Sequence, residues 1–353
     1  MRIGFGLPLG APWVTPDALV LVAQHAERLG YDGLWVCQRL MYPLRPRDEH
    51  YAAPGPQWPA AFRCVLDPLI ALSFLAAVTD TIRLGTAVLV MPYFTPIVLG
   101  KQLAALDILS RGRLTVGLGV GWSRDEYEAV GVSWEDRGAR VDEFLACLTR
   151  IWTDEHVEFR GRFYTVARSL VEPKPVQRPH PPLLLGGYSD VTLRRAARFG
   201  TGYTAGRMTA EELAPRIAMF RALTAEAGHA PDAAPVVSRA TYRLGAEEPA
   251  RARRPFSGSL DQFVDDAHRF AGAGVTELFF DPSYREDTSL ESVLDEMTTL
   301  AEVKAAVALP APAPHTRLRW RYGTPRRTTV GPSAETPPRK VWTSSWSASK
   351  ADR

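Results

Sequence analysis

Short apolar segments alternate with amphipathic helical segments along most of this chain, and this alternation restricts its fold more than any other feature. The predicted strands are residues 3–7, 33–37, 82–88, 114–118, 183–186, 202–204, 236–242 and 275–280. The predicted helices are residues 16–29, 67–78, 96–109, 191–199, 209–227, 260–271 and 289–306. Apolar strands joined by helical crossovers require a parallel sheet that is covered by helices.

Eight strand–helix units in about 300 residues favour a closed barrel over an open sheet. We therefore expect an α/β fold, a (β/α)8 TIM barrel with long loops at its C-terminal face. A Rossmann fold is the alternative. It would need Gly-x-Gly-x-x-Gly after an early strand, whereas the glycine-rich run of this chain follows the fourth predicted strand with a different spacing.

The charge of the chain is unevenly distributed. The formal net charge is +3 over 353 residues, but residues 309–353 carry nine Lys or Arg side chains against two acidic ones. These 45 C-terminal residues are also rich in proline and lack an apolar period. We expect a barrel domain at residues 1–308 and a basic, Pro-rich tail at residues 309–353 that is disordered.

Composition also restricts the partners. The chain has no apolar run of the roughly 18 residues that a membrane span needs and no signal-peptide pattern, so we expect a cytoplasmic protein without a membrane partner. The dilute basic residues of the tail have no supporting nucleic-acid motif, so no nucleic acid is expected. Three scattered cysteines and seven histidines without ligand spacing predict no metal site.

A glycine-rich turn follows the fourth predicted strand. Gly117, Gly119 and Gly121 precede the acidic, helix-like run that starts at Ser123. Backbone N–H groups at such a turn can point at an anion, so the run from Leu118 to Trp122 is a candidate phosphate site. A plain tight connection between a strand and a helix is the other interpretation.

Three loops bear on the barrel mouth. Residues 38–66 hold Tyr42, Tyr51, Trp58 and Phe62 among several prolines, and residues 155–182 hold Phe159, Phe163 and Tyr164. Aromatic residues in such loops suit a lid or wall for a flat ligand, or else a self-packed loop. The short polar loop at residues 243–258, with Arg251, Arg253 and Arg254, predicts a more open mouth on that side.

Seven segments together carry a family resemblance that covers about residues 1–306. They are residues 26–35 (AERLGYDGLW), 82–90 (IRLGTAVLV), 101–107 (KQLAALD), 112–122 (GRLTVGLGVGW), 161–164 (GRFY), 172–175 (EPKP) and 184–187 (LLGG). With these segments the chain resembles the luciferase-like monooxygenase superfamily. This superfamily contains flavin-dependent monooxygenases and enzymes that use the deazaflavin coenzyme F420, and the chain is most similar to the actinobacterial F420-dependent oxidoreductases.

The resemblance implies a cofactor site at the barrel mouth. An isoalloxazine-type ring would lie against a bulge at Thr86, Ala87 and Val88, with Ala87–Val88 as the candidate for a non-prolyl cis peptide. The cofactor phosphate would lie at Gly119, Val120, Gly121 and Trp122, and at the helix start marked by Gly186, Gly187, Tyr188 and Ser189. Arg207 could add a cation, and an exposed surface arginine is the competing interpretation.

One departure from the family affects catalysis. Many relatives have an Asp-His or Glu-His pair after the second strand, where this chain has Gln38 and Arg39. Arg39 cannot shuttle protons near neutral pH, but it could hold an anionic substrate or stabilise negative charge on a reduced ring; the alternative is a structural ion pair with Asp48 or Glu49.

Proton transfer and nucleophilic chemistry have few other candidates near this position. Tyr42 and His50 remain the nearest candidates for proton transfer. Cys37 ends the second predicted strand, and we interpret it as a small core residue rather than a nucleophile.

The sequence therefore predicts an oxidoreductase that uses F420 for hydride transfer to or from a small organic substrate. An FMN-dependent monooxygenase that uses reduced flavin and oxygen is the first alternative, and a non-catalytic flavin-binding barrel is the second. The substrate is not identified by the sequence, and assembly as a homodimer is left open.

Overall fold

A closed barrel of eight parallel strands forms the centre of the part of the chain that the structure describes. The computed structural model describes residues 1–50, 55, 57–245, 253–282, 285 and 288–307. Its strands are β1 Arg2–Gly6, β2 Gly33–Val36, β3 Arg83–Thr86, β4 Leu89–Val90, β5 Leu114–Gly119, β6 Val157–Arg160, β7 Thr165–Ser169, β8 Leu183–Gly186, β9 Gly202–Gly206, β10 Val236–Thr241, β11 Arg243–Leu244, β12 Ser257–Gly258 and β13 Glu277–Asp281.

The strand pairing confirms the predicted TIM barrel and excludes the open sheet of a Rossmann fold. The order in the main sheet is β3-β2-β1-β13-β10-β9-β8-β5-β4, and an additional pairing of β3 with β5 closes it. The short β4 lies beside β5 and extends the sheet above the bulge that follows β3. All neighbouring barrel strands are parallel, so their C-terminal ends meet at one mouth.

Helices connect the strands and cover the barrel. They are α1 Pro16–Arg28, α2 Pro68–Ala76, α3 Pro96–Leu109, α4 Arg124–Ala129, α5 Arg137–Thr153, α6 Asp190–Arg198, α7 Ala210–Glu226, α8 Leu260–Gly272 and α9 Leu290–Val307. The predicted start of α1 is confirmed: Thr15 accepts a hydrogen bond from the backbone N–H of Ala18 at 3.2 Å, and Pro16 occupies the first turn. The other predicted helices and strands end within two residues of those observed.

The N-terminal end of the barrel interior is closed by a buried ion group and an aromatic pair. Glu277 is fully buried; it accepts a hydrogen bond from the indole of Trp35 at 2.9 Å and pairs with Arg2 and Arg83. Trp35 also stacks on Phe279 with ring centroids 5.2 Å apart. A buried carboxylate is stable when it is paired in this way. The chemistry-bearing residues are thus left at the opposite, C-terminal end.

Within residues 155–182 the chain forms a hairpin, which favours the self-packed loop over the lid or wall as the interpretation of this segment. Strands β6 and β7 pair antiparallel, and the Glu143 carboxylate of α5 accepts the backbone N–H groups of Arg162, Phe163 and Tyr164 at 2.6–2.9 Å. The Tyr164 ring packs against Phe144. These aromatic residues attach the hairpin to α5, and they do not wall the barrel mouth.

The loop after the seventh barrel strand is more closely packed than predicted. Arg253 is bound to Asp266 of α8 with Nη2 2.6 Å from Oδ1, and its side chain is only 16% exposed. The backbone N–H of the buried Phe256 donates to the same carboxylate. Arg254 is exposed as predicted, whereas Arg251 lies outside the described residues.

The barrel belongs to one compact unit, Met1–Pro310. The predicted disordered tail, residues 309–353, lies outside the described residues. Among the helices that are described, not one combines the length and apolarity that a bilayer crossing requires.

Candidate active site

Two adjoining cavities open at the C-terminal ends of the barrel strands. The first cavity, of about 830 Å³, is lined by most of the predicted site residues. These are Arg39, His50, Ala87, Val88, Gly119, Val120, Gly121, Trp122, Gly186, Gly187, Tyr188, Ser189 and Arg207. The second cavity, of about 670 Å³, shares His50, Arg207 and Arg239 with the first. The structure thus brings the sequence-predicted residues together at one site.

The bulge after β3 forms one wall of the first cavity. The peptide between Ala87 and Val88 is cis, as predicted. A Cβ atom on Gly119 would lie 2.6 Å from Val88 Cγ2, and one on Gly186 would lie 2.9 Å from Val88 Cγ1. The space beside these two glycines is therefore filled by the Val88 side chain, and a larger residue at either position would displace the bulge.

Thr86 stabilises the bulge from behind and does not line the cavity. Its side chain is fully buried. Its hydroxyl donates to the Gly117 carbonyl at 2.8 Å and accepts from the Gly117 N–H at 2.9 Å. It therefore replaces ladder hydrogen bonds where the strand pairing is interrupted. The predicted cofactor contact at Thr86 is wrong in its placement, although the residue shapes the site.

The start of α6 forms one end of the first cavity. Ser189 is the N-cap residue of this nine-residue helix, and its side chain makes no capping hydrogen bond to the backbone. Its hydroxyl lies 3.3 Å from Thr192 Oγ1. The first N–H groups of a helix attract anions, and here they adjoin the glycine turn at Gly119 and Gly121. This end of the cavity is suited to a phosphate group.

Two arginines missed by sequence reasoning lie at the same end. Arg137 and Arg195 both line the first cavity. Arg195 is fixed by Asp142 of α5 at 2.7 Å and donates to the Gly138 carbonyl. Their position depends on how α5 packs beside α6, and no local sequence pattern reports such packing. Together they bring two positive charges to a cavity whose described lining includes one carboxylate, that of Glu135, although Arg195 is paired with Asp142.

Arg39 is held by a buried carboxylate and an aromatic wall. Its Nη1 atom lies 3.2 Å from Glu126 Oε2, with the two side chains 8% and 0% exposed. Glu126 also accepts hydrogen bonds from the Leu40 N–H at 2.8 Å and the Tyr93 hydroxyl at 3.0 Å. The guanidinium lies 4.9 Å from the Trp122 ring centre, a cation–π distance. The alternative of a structural ion pair is thus met by a different carboxylate: Arg39 pairs with Glu126, whereas Asp48 pairs with Arg124.

His50 lies between the two cavities in an environment that disfavours its protonation. Its ring is almost fully buried and packs edge-on against Phe62 and Trp122, each at 5.1 Å. Burial, together with the positive charges of Arg39, Arg239 and Arg207, lowers the pKa of His50 from 6.5 to about 3. His50 is therefore a neutral ring near neutral pH.

Tyr42 lies behind the aromatic wall and does not reach either cavity. Its hydroxyl donates to the Trp58 carbonyl at 2.9 Å, and its ring contacts the Trp58 ring edge-on. Trp58 and Phe62 are buried, and Trp58 contacts Trp122 at 4.7 Å. From the loop after β2, Trp58 lines the second cavity and Phe62 lines the first.

Cys37 lines the first cavity, which corrects its interpretation as a core residue. Burial raises the pKa of its thiol, and Asp281 raises it further, against the opposing effects of Arg239 and Arg39. A thiol with a raised pKa stays protonated and is a poor nucleophile. Arg239 and Asp281, which form an ion pair nearby, were not predicted.

The strands close into a TIM barrel, and a cis-peptide bulge and a helix start face one cavity at its mouth. This combination is typical of a cofactor-binding TIM-barrel oxidoreductase. The Luciferase-like monooxygenase family model matches residues 3–303. The chain therefore belongs to the luciferase-like monooxygenase family, whose members are F420- or flavin-dependent oxidoreductases and monooxygenases.

Two curated relatives show the range of sequence similarity. An uncharacterized Mycobacterium tuberculosis protein is 33% identical over 210 residues, which is 59% of this chain and 71% of the relative. An FMNH(2)-dependent dimethylsulfone monooxygenase of Pseudomonas putida is 34% identical over 159 residues, 44% of each chain.

Two solved structures share the fold. Monooxygenase RslO1 from Streptomyces bottropensis has a TM-score of 0.72 at 21% identity and covers 86% of this chain and 98% of its own. An F420-dependent secondary alcohol dehydrogenase in complex with an F420-acetone adduct has a TM-score of 0.67 at 16% identity, covering 87% of this chain and 98% of its own. At these identities the likeness concerns the fold alone.

Proposed function

We propose that coenzyme F420 binds in the first cavity and that the protein transfers a hydride between F420 and a small organic substrate. One observation carries this proposal: the Ala87–Val88 bulge and the N-terminus of α6 open into the same cavity of about 830 Å³. A flat ring against the bulge would have its phosphate at the helix start. When bound, the deazaflavin supplies the ring position that accepts or donates the hydride.

The protein's own residues would position the substrate, exclude water and supply fixed charge. Trp58, Phe62 and Trp122 enclose the mouth beside Arg39. Arg39 keeps its charge at all relevant pH values, and Glu126 fixes its orientation, so it would stabilise negative charge near the ring. His50 would help to shape the site as a neutral ring. Tyr42 would act only through Trp58.

Arg137 and Arg195 favour F420 over FMN. F420 has a longer anionic tail than FMN, and these arginines add positive charge at the end of the cavity where the phosphate would lie. The FMN-dependent monooxygenase is supported by the similarity to the dimethylsulfone monooxygenase and by the aromatic enclosure. A non-catalytic flavin-binding barrel would bind a cofactor without turnover.

Parallel titrations of the full-length protein with F420 and with FMN, at low and high salt, test this proposal. We expect tighter F420 binding. High salt should reduce this preference only in part, because Arg137 and Arg195 are half-buried and partly buried charges are screened less. Loaded protein is then mixed anaerobically with candidate alcohols, ketones and enones while F420 absorbance is followed. Tighter FMN binding at low salt together with oxygen-dependent oxidation of FMNH2 would replace the proposal by the monooxygenase. Binding without any turnover would support the non-catalytic barrel.

A further inference from the structure

We propose that the second cavity binds the anionic end of the substrate, a carboxylate or phosphate attached to an apolar or aromatic body. The inference rests on the proposed function, because it takes the first cavity as the cofactor site. The reacting part of the substrate would lie at the junction of the two cavities, beside His50, Arg207 and Arg239.

The lining of the second cavity combines positive charge with aromatic surface. Among the described residues that line it, five are arginines, and the carboxylates are Glu212 and Asp281. Asp281 is paired with Arg239, and the carboxylate of Glu212 accepts the Thr209 N–H at 2.8 Å at the start of α7. An anionic group is therefore favoured here over a cation.

The arginines of the second cavity fall into two groups. Arg207 and Arg239 line both cavities, whereas the exposed Arg243 and Arg254 line only the second. Trp58 lines the same cavity and is buried. A substrate that reaches from the junction toward Arg243 and Arg254 would place its apolar body against aromatic surface and its charge at the far end.

Three packed aromatic residues form an apolar floor of the second cavity. Tyr242, Phe256 and Phe270 line the cavity, and the Phe256 and Phe270 rings lie 5.1 Å apart. The Tyr242 hydroxyl donates to Glu296 at 2.6 Å, and Glu296 also binds Arg285. A floor fixed by these contacts presents a preformed apolar surface to a ligand.

Backbone strain occurs at this cavity. Arg207 and Phe256, both lining residues, have φ values of 58° and 59°. Residues other than glycine seldom adopt this conformation, and it is concentrated at ligand-binding sites where the surroundings maintain it. Phe256 is maintained by its buried ring and by the hydrogen bond of its N–H to Asp266 at 2.8 Å. This backbone conformation places Arg207 at the junction of the two cavities and the Phe256 ring in the lining of the second.

A pair of fluorescent probes of similar shape tests the proposal. 8-Anilinonaphthalene-1-sulfonate carries an anionic group on an aromatic body, and N-phenyl-1-naphthylamine is its neutral counterpart. Both are titrated into full-length protein, with and without saturating F420 or FMN. In the cofactor-loaded protein we expect the sulfonate to bind more tightly than the neutral probe. The double variant Arg243→Ala/Arg254→Ala should weaken its binding about tenfold while leaving the neutral probe unchanged.

Two control variants separate this cavity from the cofactor site. Arg137 lines only the first cavity. Arg137→Ala should therefore weaken cofactor binding and leave sulfonate binding unchanged. Arg168→Ala removes an exposed arginine of the β6–β7 hairpin and should change neither. Displacement of the sulfonate by benzoate, phenyl phosphate or benzyl alcohol then distinguishes a carboxylate from a phosphate site, with the alcohol as the neutral control.

Equal affinity for the two probes in loaded protein, or sulfonate binding that survives the double variant, would overturn the proposal. Displacement by benzyl alcohol as strong as by the two anions would do the same. If neither F420 nor FMN binds but sulfonate binding still depends on Arg243 and Arg254, the proposed function fails and the anion site stands. If a cofactor binds and the probes do not differ, only the anion site fails.

Discussion

Replacing Ser189 by aspartate should weaken cofactor binding without destabilising the fold, and the opposite signs of the two effects make the test specific. Ser189 is the N-cap of α6, has an extended backbone and lines the first cavity. Aspartate is as good an N-cap as serine and interacts favourably with the helix dipole, so the helix itself should be stabilised by about 0.3–1 kcal/mol. A bound phosphate, by contrast, would lie beside a like charge.

The size of the repulsion follows from distance and exposure. Ser189 is exposed, so a dielectric constant near that of water applies, and two unit charges about 5 Å apart then repel by about 1 kcal/mol. This corresponds to about a fivefold loss of affinity for FMN or F420 alike. The loss should shrink in high salt. Gly187→Glu is a poorer choice, because Gly187 has a φ of 156° and a Cβ there would lie 2.5 Å from Thr192 Oγ1.

Ser189→Asn is the matched control, since asparagine caps helices equally well and carries no charge. Cofactor affinity is measured by fluorescence titration, and stability by the midpoint of urea unfolding. We expect Ser189→Asp, but not Ser189→Asn, to reduce affinity, with unfolding midpoints equal to or above that of the unmodified protein. Equal affinities of the two variants would remove the start of α6 from the cofactor site.

Four further outcomes are expected. Arg39→Ala leaves the buried Glu126 without its cation and should lower the free energy of unfolding by about 3 kcal/mol. The double variant Arg39→Met/Glu126→Gln should recover most of this loss. If the effects of the two substitutions on urea unfolding simply add, the pairing is contradicted. Arg39→Ala should also lower turnover more than cofactor affinity, with partial rescue by Arg39→Lys, and unchanged turnover would make Arg39 structural. The pKa of His50 falls from 6.5 to about 3 on folding, so between these pH values the unfolded chain binds one proton more than the folded chain. The free energy of unfolding should therefore decrease as the pH drops below about 6.5, by at most about 1.4 kcal/mol per pH unit. His50→Gln should flatten this dependence in urea unfolding measured between pH 4 and about 7. Deletion of residues 309–353 should leave the melting temperature and cofactor affinity unchanged, and a loss of several degrees would show that the tail supports the barrel.

The barrel could be predicted from the sequence because its signals are local. Strand apolarity, caps such as Thr15 and Pro16, and glycine stops depend on neighbouring residues, so they fix elements to within two residues. The order of those elements then leaves few topologies. Closure of the sheet followed from the number of strand–helix units, and not from any single segment.

The site could be predicted only in part, because several of its contacts join distant segments. The backbone positions at Val88, Gly121 and Ser189 came from motifs. The partner of Arg39 did not, since Glu126 lies 87 residues further along the chain in α4. Aromatic content alone does not identify a lid over the barrel mouth. Phe163 and Tyr164 resemble lid residues in sequence, yet the Glu143 carboxylate binds their backbone and turns the hairpin toward α5.

Gln38 and Arg39, which follow β2, limit the proton chemistry that the site can do. Gln38 is buried, and its side-chain oxygen accepts the Val90 N–H at 2.8 Å, so it supports the segment that follows the bulge. Arg39 is held in place by Glu126, and an arginine side chain cannot shuttle protons near neutral pH. Burial raises the pKa of Cys37, and His50 titrates near 3. Arg39, Cys37 and His50 therefore supply fixed charge and shape at neutral pH, and a proton required by the reaction would come from the substrate or from solvent at the mouth.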